Sequence, residues 1–174
     1  VTGNITGGNL SVNTGKVSLG SIVNNNANGV GNIGSSTGYF NTVFAKSTSA
    51  QYADLAEVYA TDSEYASGTV VIFGGEKEIT ISTAFGDERV AGVISTEPAH
   101  LMNSSMEGLP VALRGRVPVN VIGPVTKGDS LVTSATSGFA QSVGRDRSFG
   151  QAVFAKAIET NLSDGEKTIT AVIL

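Results

Sequence analysis

The sequence predicts a mainly β protein in two parts: an extended β-stalk over residues 1–51, and a compact antiparallel β-barrel or sandwich over residues 52–174 with at most one or two short helices. In the first part, single apolar residues alternate with Gly, Asn, Ser and Thr, a composition that cannot bury a core of its own. In the second part, short β-branched segments recur between Gly-containing turns, which is typical of a small barrel or sandwich. The composition changes abruptly at Gln51–Glu57.

Charge divides the chain at the same place. Residues 1–51 contain no acidic residue and only two basic ones, Lys16 and Lys46, whereas all fifteen acidic residues follow and the whole chain carries −4. The basic residues are scattered singly, so no cationic surface is expected to attract a nucleic acid. No apolar run approaches the roughly 20 residues that span a bilayer, so membrane insertion is not expected. Because the sequence begins with Val1 rather than Met, we expect it to be a fragment, a processed product or the tail end of a longer protein.

Two interpretations of the N-terminal part remain open, a disordered linker and a fibre in which several copies bury their apolar residues along a common axis. The regular recurrence of apolar residues and the near absence of charge favour the fibre. Short strands are expected at Leu10–Val12, Val17–Leu19 and Gly38–Ala45, with a turn within Asn24–Gly29. The residues expected between the copies are Leu10, Val12, Val17, Leu19, Ile22, Tyr39, Phe40, Phe44, Tyr52 and Leu55.

A short helix is predicted at the junction of the two parts. The hydroxyl side chains of Ser47–Ser49 are suitable caps for a helix over Ala50–Tyr59. On that helix, Leu55, Val58 and Tyr59 would share one face with Tyr52.

Nine later segments are predicted as strands, because each is short, rich in β-branched residues and bounded by turn signals. They are Thr69–Phe73, Glu78–Ser82, Val90–Ser95, Leu109–Leu113, Val117–Ile122, Ser130–Thr133, Phe139–Ser142, Ala152–Ile158 and Thr168–Leu174. A helix is an alternative for Val153–Ile158. The charged loop Arg145–Arg147 is predicted to be solvated.

Several short blocks of the C-terminal part carry a resemblance to a known family. They are Tyr52–Glu57, Gly74–Glu78, Arg89–Ser95, Gly115–Val119, Lys127–Val132 and Ser137–Ala140. In this order they resemble the C-terminal domains of bacteriophage tail fibres and appendages, especially the autoproteolytic intramolecular-chaperone cleavage domain, or peptidase G2 family. The resemblance covers roughly residues 50–145, and Phe40–Phe44 is similar to the stalk that often precedes this domain.

The resemblance implies a homotrimeric, β-rich virion protein whose domain brings three chains into register during assembly. Its expected partners are other virion tail or fibre proteins, and no cofactor is expected. It would belong to a virion assembled in the cytoplasm of a bacterial host. In some members of the family the domain then cuts itself away, and self-cleavage is one alternative function. A host-surface glycan bound at the fibre tip is another.

Asp54 and Glu57 are the first candidates for self-cleavage. Three residues apart on the predicted helix, their carboxylates would lie on one face and could activate Ser49. The alternatives are a capping or solvated pair, and pairing with an arginine of a neighbouring chain that sets the register. The arginines available for such pairing are Arg89, Arg114 and Arg116.

His100 is the second candidate because it is the only histidine. Asn103 and Ser104 follow it closely, and a Ser beside an Asn supports backbone scission through an ester or a succinimide, with the imidazole as base. The alternative is an ordinary loop histidine after Pro98. The sequence has no Gly-X-Ser-X-Gly elbow and no metal-ligand cluster, so neither a conventional hydrolase nor a metal site is predicted.

Overall fold

A computed structural model of the chain describes residues 15–24, 30–146 and 148–174. The chain divides into two units, Val1–Ser47 and Thr48–Leu174. The boundary predicted between residues 51 and 52 falls just inside the second unit.

The second unit is made of short β-strands joined by turns, with one turn of 3-10 helix at Gly150–Ala152. In chain order the strands are β1 (Asp54–Tyr59), β2 (Val70–Phe73), β3 (Ile79–Ile81), β4 (Val90–Ile94), β5 (His100–Met102), β6 (Leu109–Ile122), β7 (Ser130–Thr133), β8 (Ala140–Ser142), β9 (Ala155–Ala157) and β10 (Glu166–Ile173). The mainly β prediction is therefore confirmed.

Five of the strands close into a barrel, in the order β6, β8, β7, β9 and β10. The ring is closed by β10, which pairs antiparallel with Gly115–Ile122 of β6 along its whole length. The predicted compact barrel is thus confirmed, although β6 and β8 pair in parallel, through Val121 and Ala140. Closure stabilises these short strands because it leaves no unpaired sheet edge around the ring.

Small and β-branched side chains fill the barrel core. Alternate residues of β6 and β10 point inward, as the two-residue period of a strand requires. The inward residues of these two strands, none more than 4% exposed, are Val117, Val119, Val121, Ile169, Ala171 and Ile173. On β6 the intervening Arg116 and Pro118 face solvent.

The long strand β6 continues beyond the barrel and carries a second group of strands. The predicted segments Leu109–Leu113 and Val117–Ile122 are one strand of 14 residues. Its first half pairs with β1 and β4, β4 pairs with β2, and β2 pairs with β3. A smaller apolar cluster of Val71, Ile79, Ile94 and Val111 lies in this group.

The predicted helix over Ala50–Tyr59 is wrong. Asp54–Tyr59 form β1, in which buried and half-buried residues alternate strictly. The strand pairs antiparallel with β6 and parallel with β5. Pairing on both sides gives the backbone N–H and C=O groups of β1 hydrogen-bond partners. These tertiary contacts outweigh the helical preference that the spacing of Leu55 and Val58 indicated.

Two further predictions need correction. His100 lies on β5 rather than in a loop, because β5 pairs with the edge of β1. The helical alternative for Val153–Ile158 is also wrong, since Ala155–Ala157 form β9 between β7 and β10.

The first unit contains no strand within residues 15–24 and 30–47. Ser35 and Gly38 form one isolated bridge, with backbone hydrogen bonds of 3.1 and 3.2 Å. The strands predicted at Val17–Leu19 and Gly38–Ala45 are therefore not formed in a single chain, where they have no partner strand. The strand predicted at Leu10–Val12 lies outside the described residues.

Candidate functional site

The apolar side chains of the first unit face solvent wherever the structure describes them, in residues 15–24 and 30–47. Phe44 is 96% exposed, Tyr39 82% and Ile22 78%, and the other described candidates of this unit are more than half exposed. These other interface candidates are Val17, Leu19 and Phe40. The candidates Leu10 and Val12 lie outside the described residues. Further apolar residues of this unit that are exposed to a similar extent are Val23, Val30, Ile33 and Val43. Soluble monomers rarely leave so many large apolar side chains uncovered in one short segment.

The two remaining interface candidates belong to the second unit. Tyr52 is more than half exposed. Leu55 is half-buried on β1, where it lies opposite Arg114 of β6 and His100 of β5.

Asp54 and Glu57 lie on opposite faces of β1, so the paired-carboxylate hypothesis is wrong. Asp54 is buried, and its Oδ2 accepts a hydrogen bond of 2.7 Å from Ser95 Oγ. Glu57 is half-buried, and its Oε2 accepts a hydrogen bond of 2.9 Å from the Tyr59 hydroxyl. Burial raises the pKa of Tyr59, and the hydrogen bond to Glu57 raises it further. Both carboxylates therefore hold neighbouring side chains in place.

His100 and Glu57 do lie on the same face of the sheet. In the parallel pair, His100 is opposite Leu55 and Met102 is opposite Glu57, and alternate residues of a strand share a face. His100 is exposed, and no hydrogen bond joins it to Glu57 in the described part of the chain.

Asn103 ends β5 in a left-handed turn. Its φ is 56°, the only positive φ of a non-glycine residue within the described ranges. Its side-chain Nδ2 donates to the Val58 carbonyl at 3.3 Å and to Met106 Sδ at 3.0 Å. The left-handed backbone explains why asparagine occupies position 103, because this residue tolerates a positive φ better than most. Ser104, next in the turn, is exposed.

Ser49 is exposed and lies before β1. Among the described residues, no hydrogen bond links Ser49 to Asp54, Glu57 or His100. The candidates for self-cleavage are thus not assembled as a nucleophile and a base in the single chain.

A cavity lies elsewhere, around β7, and the sequence analysis did not predict it. It has a volume of about 570 Å³ and is lined by Gly128, Ser130, Arg145, Asp146, Gly150, Val153 and Lys156. We call it the β7 cavity. The only signal in the sequence was the charged loop Arg145–Arg147. Ser130 of β7 and Lys156 of β9 complete the cavity, and only strand pairing brings them to that loop.

Among the described residues, no three His, Asp or Glu side chains form a group that could hold a metal ion. No helix within the described ranges is long and apolar enough to cross a membrane.

Comparison of the sequence with protein-family models gives no match, and comparison with curated proteins gives none either. The resemblance to the peptidase G2 family stays a prediction.

Proposed function

We propose that this chain is a segment of a trimeric bacteriophage tail fibre or appendage, in which three copies wrap their N-terminal segments together. The C-terminal β domain would drive trimerisation and set the register of the three chains. The resemblance to the peptidase G2 family supplies the bacteriophage context of this proposal.

The exposed apolar residues of the first unit carry the proposal. Burial of apolar surface contributes about 25 cal/mol per Å², so side chains such as Ile22, Tyr39 and Phe44 favour association strongly. Strands also need partners, and the single chain forms none within residues 15–24 and 30–47. Further copies of the same segment would supply both the apolar cover and the strand pairing.

The charge distribution supports identical chains as partners. Residues 1–51 contain Lys16 and Lys46 but no acidic residue. In a parallel bundle, each residue lies near its own copies, so a charged segment would repel itself. A nearly uncharged segment avoids that repulsion.

The barrel supports the division of roles between the two parts. Its closed ring and buried core are formed by residues of the second unit. A folded domain on each chain raises the local concentration of the attached segments once the domains associate. The self-cleavage alternative has no comparable observation in its favour.

Multi-angle light scattering and intact-mass spectrometry on one purified sample test the proposal. We expect three times the mass of one chain at micromolar concentration, and chains of full length. Ile22→Ser with Phe44→Ser should weaken the trimer, whereas Leu162→Ser, at an exposed apolar residue of the second unit, should not. A stable monomer, or an oligomer of another size, would refute the proposal, and a time-dependent new terminus would favour self-cleavage.

A further inference from the structure

The β7 cavity brings together residues from both neighbours of β7. Ser130 on β7 is paired directly with Lys156 on β9, and Lys156 Nζ donates a hydrogen bond of 3.3 Å to Ser130 Oγ. On the other side of β7, the loop that follows β8 carries Arg145 and Asp146 to the same cavity. Two cations from separate parts of the chain thereby line one space.

Hydrogen bonds anchor the start of the loop that carries Arg145. Ser130 N donates to the Gly144 carbonyl at 2.7 Å, and Val143 N donates to the Ser130 carbonyl at 3.0 Å. Ser142 Oγ accepts from Gly144 N at 3.0 Å and donates to Asp129 Oδ2 at 2.7 Å. These contacts fix the backbone before Arg145, which lowers the entropy cost of binding a ligand there.

Within the described residues, no ion pair neutralises Arg145 or Lys156. In the described part of the chain, the one salt bridge joins Arg89 to Asp87. Asp146 is engaged locally, since its Oδ1 accepts a hydrogen bond of 2.8 Å from Ser148 N. That hydrogen bond lowers the pKa of Asp146, so its carboxylate stays ionised at neutral pH. The lining therefore holds two positive side chains and one negative one, in a chain whose net charge is −4.

We propose that the β7 cavity binds a small oxyanion that also carries hydroxyl groups, the chemistry shared by sugar acids and sugar phosphates. Arg145 and Lys156 supply the charged donors that recognise a carboxylate or phosphate. Asp146 and Ser130 supply oxygen acceptors for hydroxyl groups. The cavity volume of about 570 Å³ suits a ligand of one or two sugar rings, since small-molecule sites span about 300 to 1,000 Å³.

Titration calorimetry on the full chain at low ionic strength shows whether the cavity binds a sugar acid, a sugar phosphate or both. The ligands are glucuronate, glucose 6-phosphate, glucose and inorganic phosphate. We expect saturable binding of glucuronate, glucose 6-phosphate or both, and binding of glucose and of inorganic phosphate weaker by at least about tenfold. Binding of one anionic sugar alone would identify the carboxylate or the phosphate as the preferred group.

Matched variants test whether the binding occurs in this cavity. Lys156→Met and Arg145→Gln should each weaken binding by at least about tenfold, because each removes a charge-assisted hydrogen bond. Lys77→Met removes the same charge from an exposed lysine outside the cavity and should leave the affinity unchanged. The thermal unfolding midpoint of each variant shows whether the fold is retained.

The proposal is overturned if neither anionic sugar binds, or if folded Lys156→Met and Arg145→Gln chains bind as the unsubstituted chain does. If Lys77→Met lowered the affinity as much as Lys156→Met and Arg145→Gln do, the effect would be a non-specific charge effect, and the proposal would also be overturned. If inorganic phosphate or glucose bound as tightly as the anionic sugars, the cavity would not recognise an oxyanion and hydroxyl groups together, and the proposal would be overturned.

Discussion

Ser95 Oγ donates a hydrogen bond of 2.7 Å to Asp54 Oδ2, and both side chains are buried. The bond connects the first residue of β1 to the residue that follows β4. A second contact reinforces it, since Ala99 N donates to the Asp54 carbonyl at 2.9 Å. The start of the C-terminal domain is thus held by a carboxylate that sequence reasoning had considered for catalysis.

Ser95→Ala is expected to destabilise the domain. The substitution removes the hydroxyl donor and leaves the buried Asp54 Oδ2 without that hydrogen bond, which lowers the free energy of unfolding by about 1–3 kcal/mol. Urea unfolding of the variant should show this loss, whereas Ser105→Ala, at an exposed turn serine, should change the free energy of unfolding by less than about 0.5 kcal/mol. Equal stability of the Ser95→Ala and Ser105→Ala chains would contradict the proposed role of the bond.

Ser82→Ala is expected to stabilise the domain. Ser82 is fully buried, and its Oγ has no hydrogen-bond partner among the described residues. An unpaired buried hydroxyl is unfavourable by about 1–3 kcal/mol, and alanine removes it at little cost in packing. We expect a gain of about 1 kcal/mol in the free energy of unfolding, measured by urea denaturation.

Ser134→Ala is the matched control for that prediction. Ser134 is also fully buried, but its Oγ donates to the Thr136 carbonyl at 2.9 Å and accepts from Thr136 N at 3.0 Å. The same substitution should therefore destabilise the domain by about 1 kcal/mol or more. If both alanine variants change stability in the same direction, hydrogen bonding does not account for the difference between these two serines.

Gly115→Ala is expected to be among the most damaging single substitutions in β6. Gly115 has a φ of 109°, and a Cβ there would lie 2.2 Å from the Ala53 carbonyl oxygen. Both the backbone conformation and the close approach of β1 require glycine. We expect a loss of at least about 2 kcal/mol in thermal or urea unfolding.

Gly165→Ala provides the comparison for Gly115. A Cβ at Gly165 meets no atom within 4 Å, and its φ lies outside the left-handed region. Alanine there should be neutral or stabilise by up to about 1 kcal/mol, because it restricts the unfolded chain. Similar stability of the two alanine variants would show that β1 does not approach Gly115 as described.

The sequence predicted much of the barrel because its strands obey local rules. The alternation of Val117, Val119 and Val121 indicates one buried face whatever the partner strand is. The β1 strand was missed because its residues Leu55 and Val58 fit a helical period, and only pairing with β5 and β6 decides the conformation. Long-range pairing of this kind leaves no local signal.

The candidate sites were harder to predict than the strands. The β7 cavity depends on Ser130, Arg145 and Lys156, which only the pairing around β7 brings together. The exposed apolar residues of the first unit were recognisable from composition alone. Their mutual arrangement was not, because neither the sequence nor a single chain shows what covers them.

Stability is expected to fall in acid, in part through Asp87. Hydrogen bonds from Arg89 lower the pKa of Asp87 below its usual value of 3.8, the guanidinium contact being the larger cause. A carboxyl group whose pKa is lower in the folded state stabilises the fold above the unfolded pKa, and this contribution is lost as the pH falls through the folded pKa. The loss should therefore occur below about pH 4.

Asp87→Asn should flatten that part of the acid response. We expect its urea midpoint to lie below that of the unsubstituted chain at pH 7, and the two midpoints to converge as the pH falls towards 2. Glu88→Gln, which removes a charge at the exposed neighbouring carboxylate, controls for the change in net charge. A constant difference between the Asp87→Asn and unsubstituted chains from pH 7 to pH 2 would mean that ionisation of Asp87 does not contribute to the acid response, and that the hydrogen bonds from Arg89 stabilise the loop equally in both protonation states.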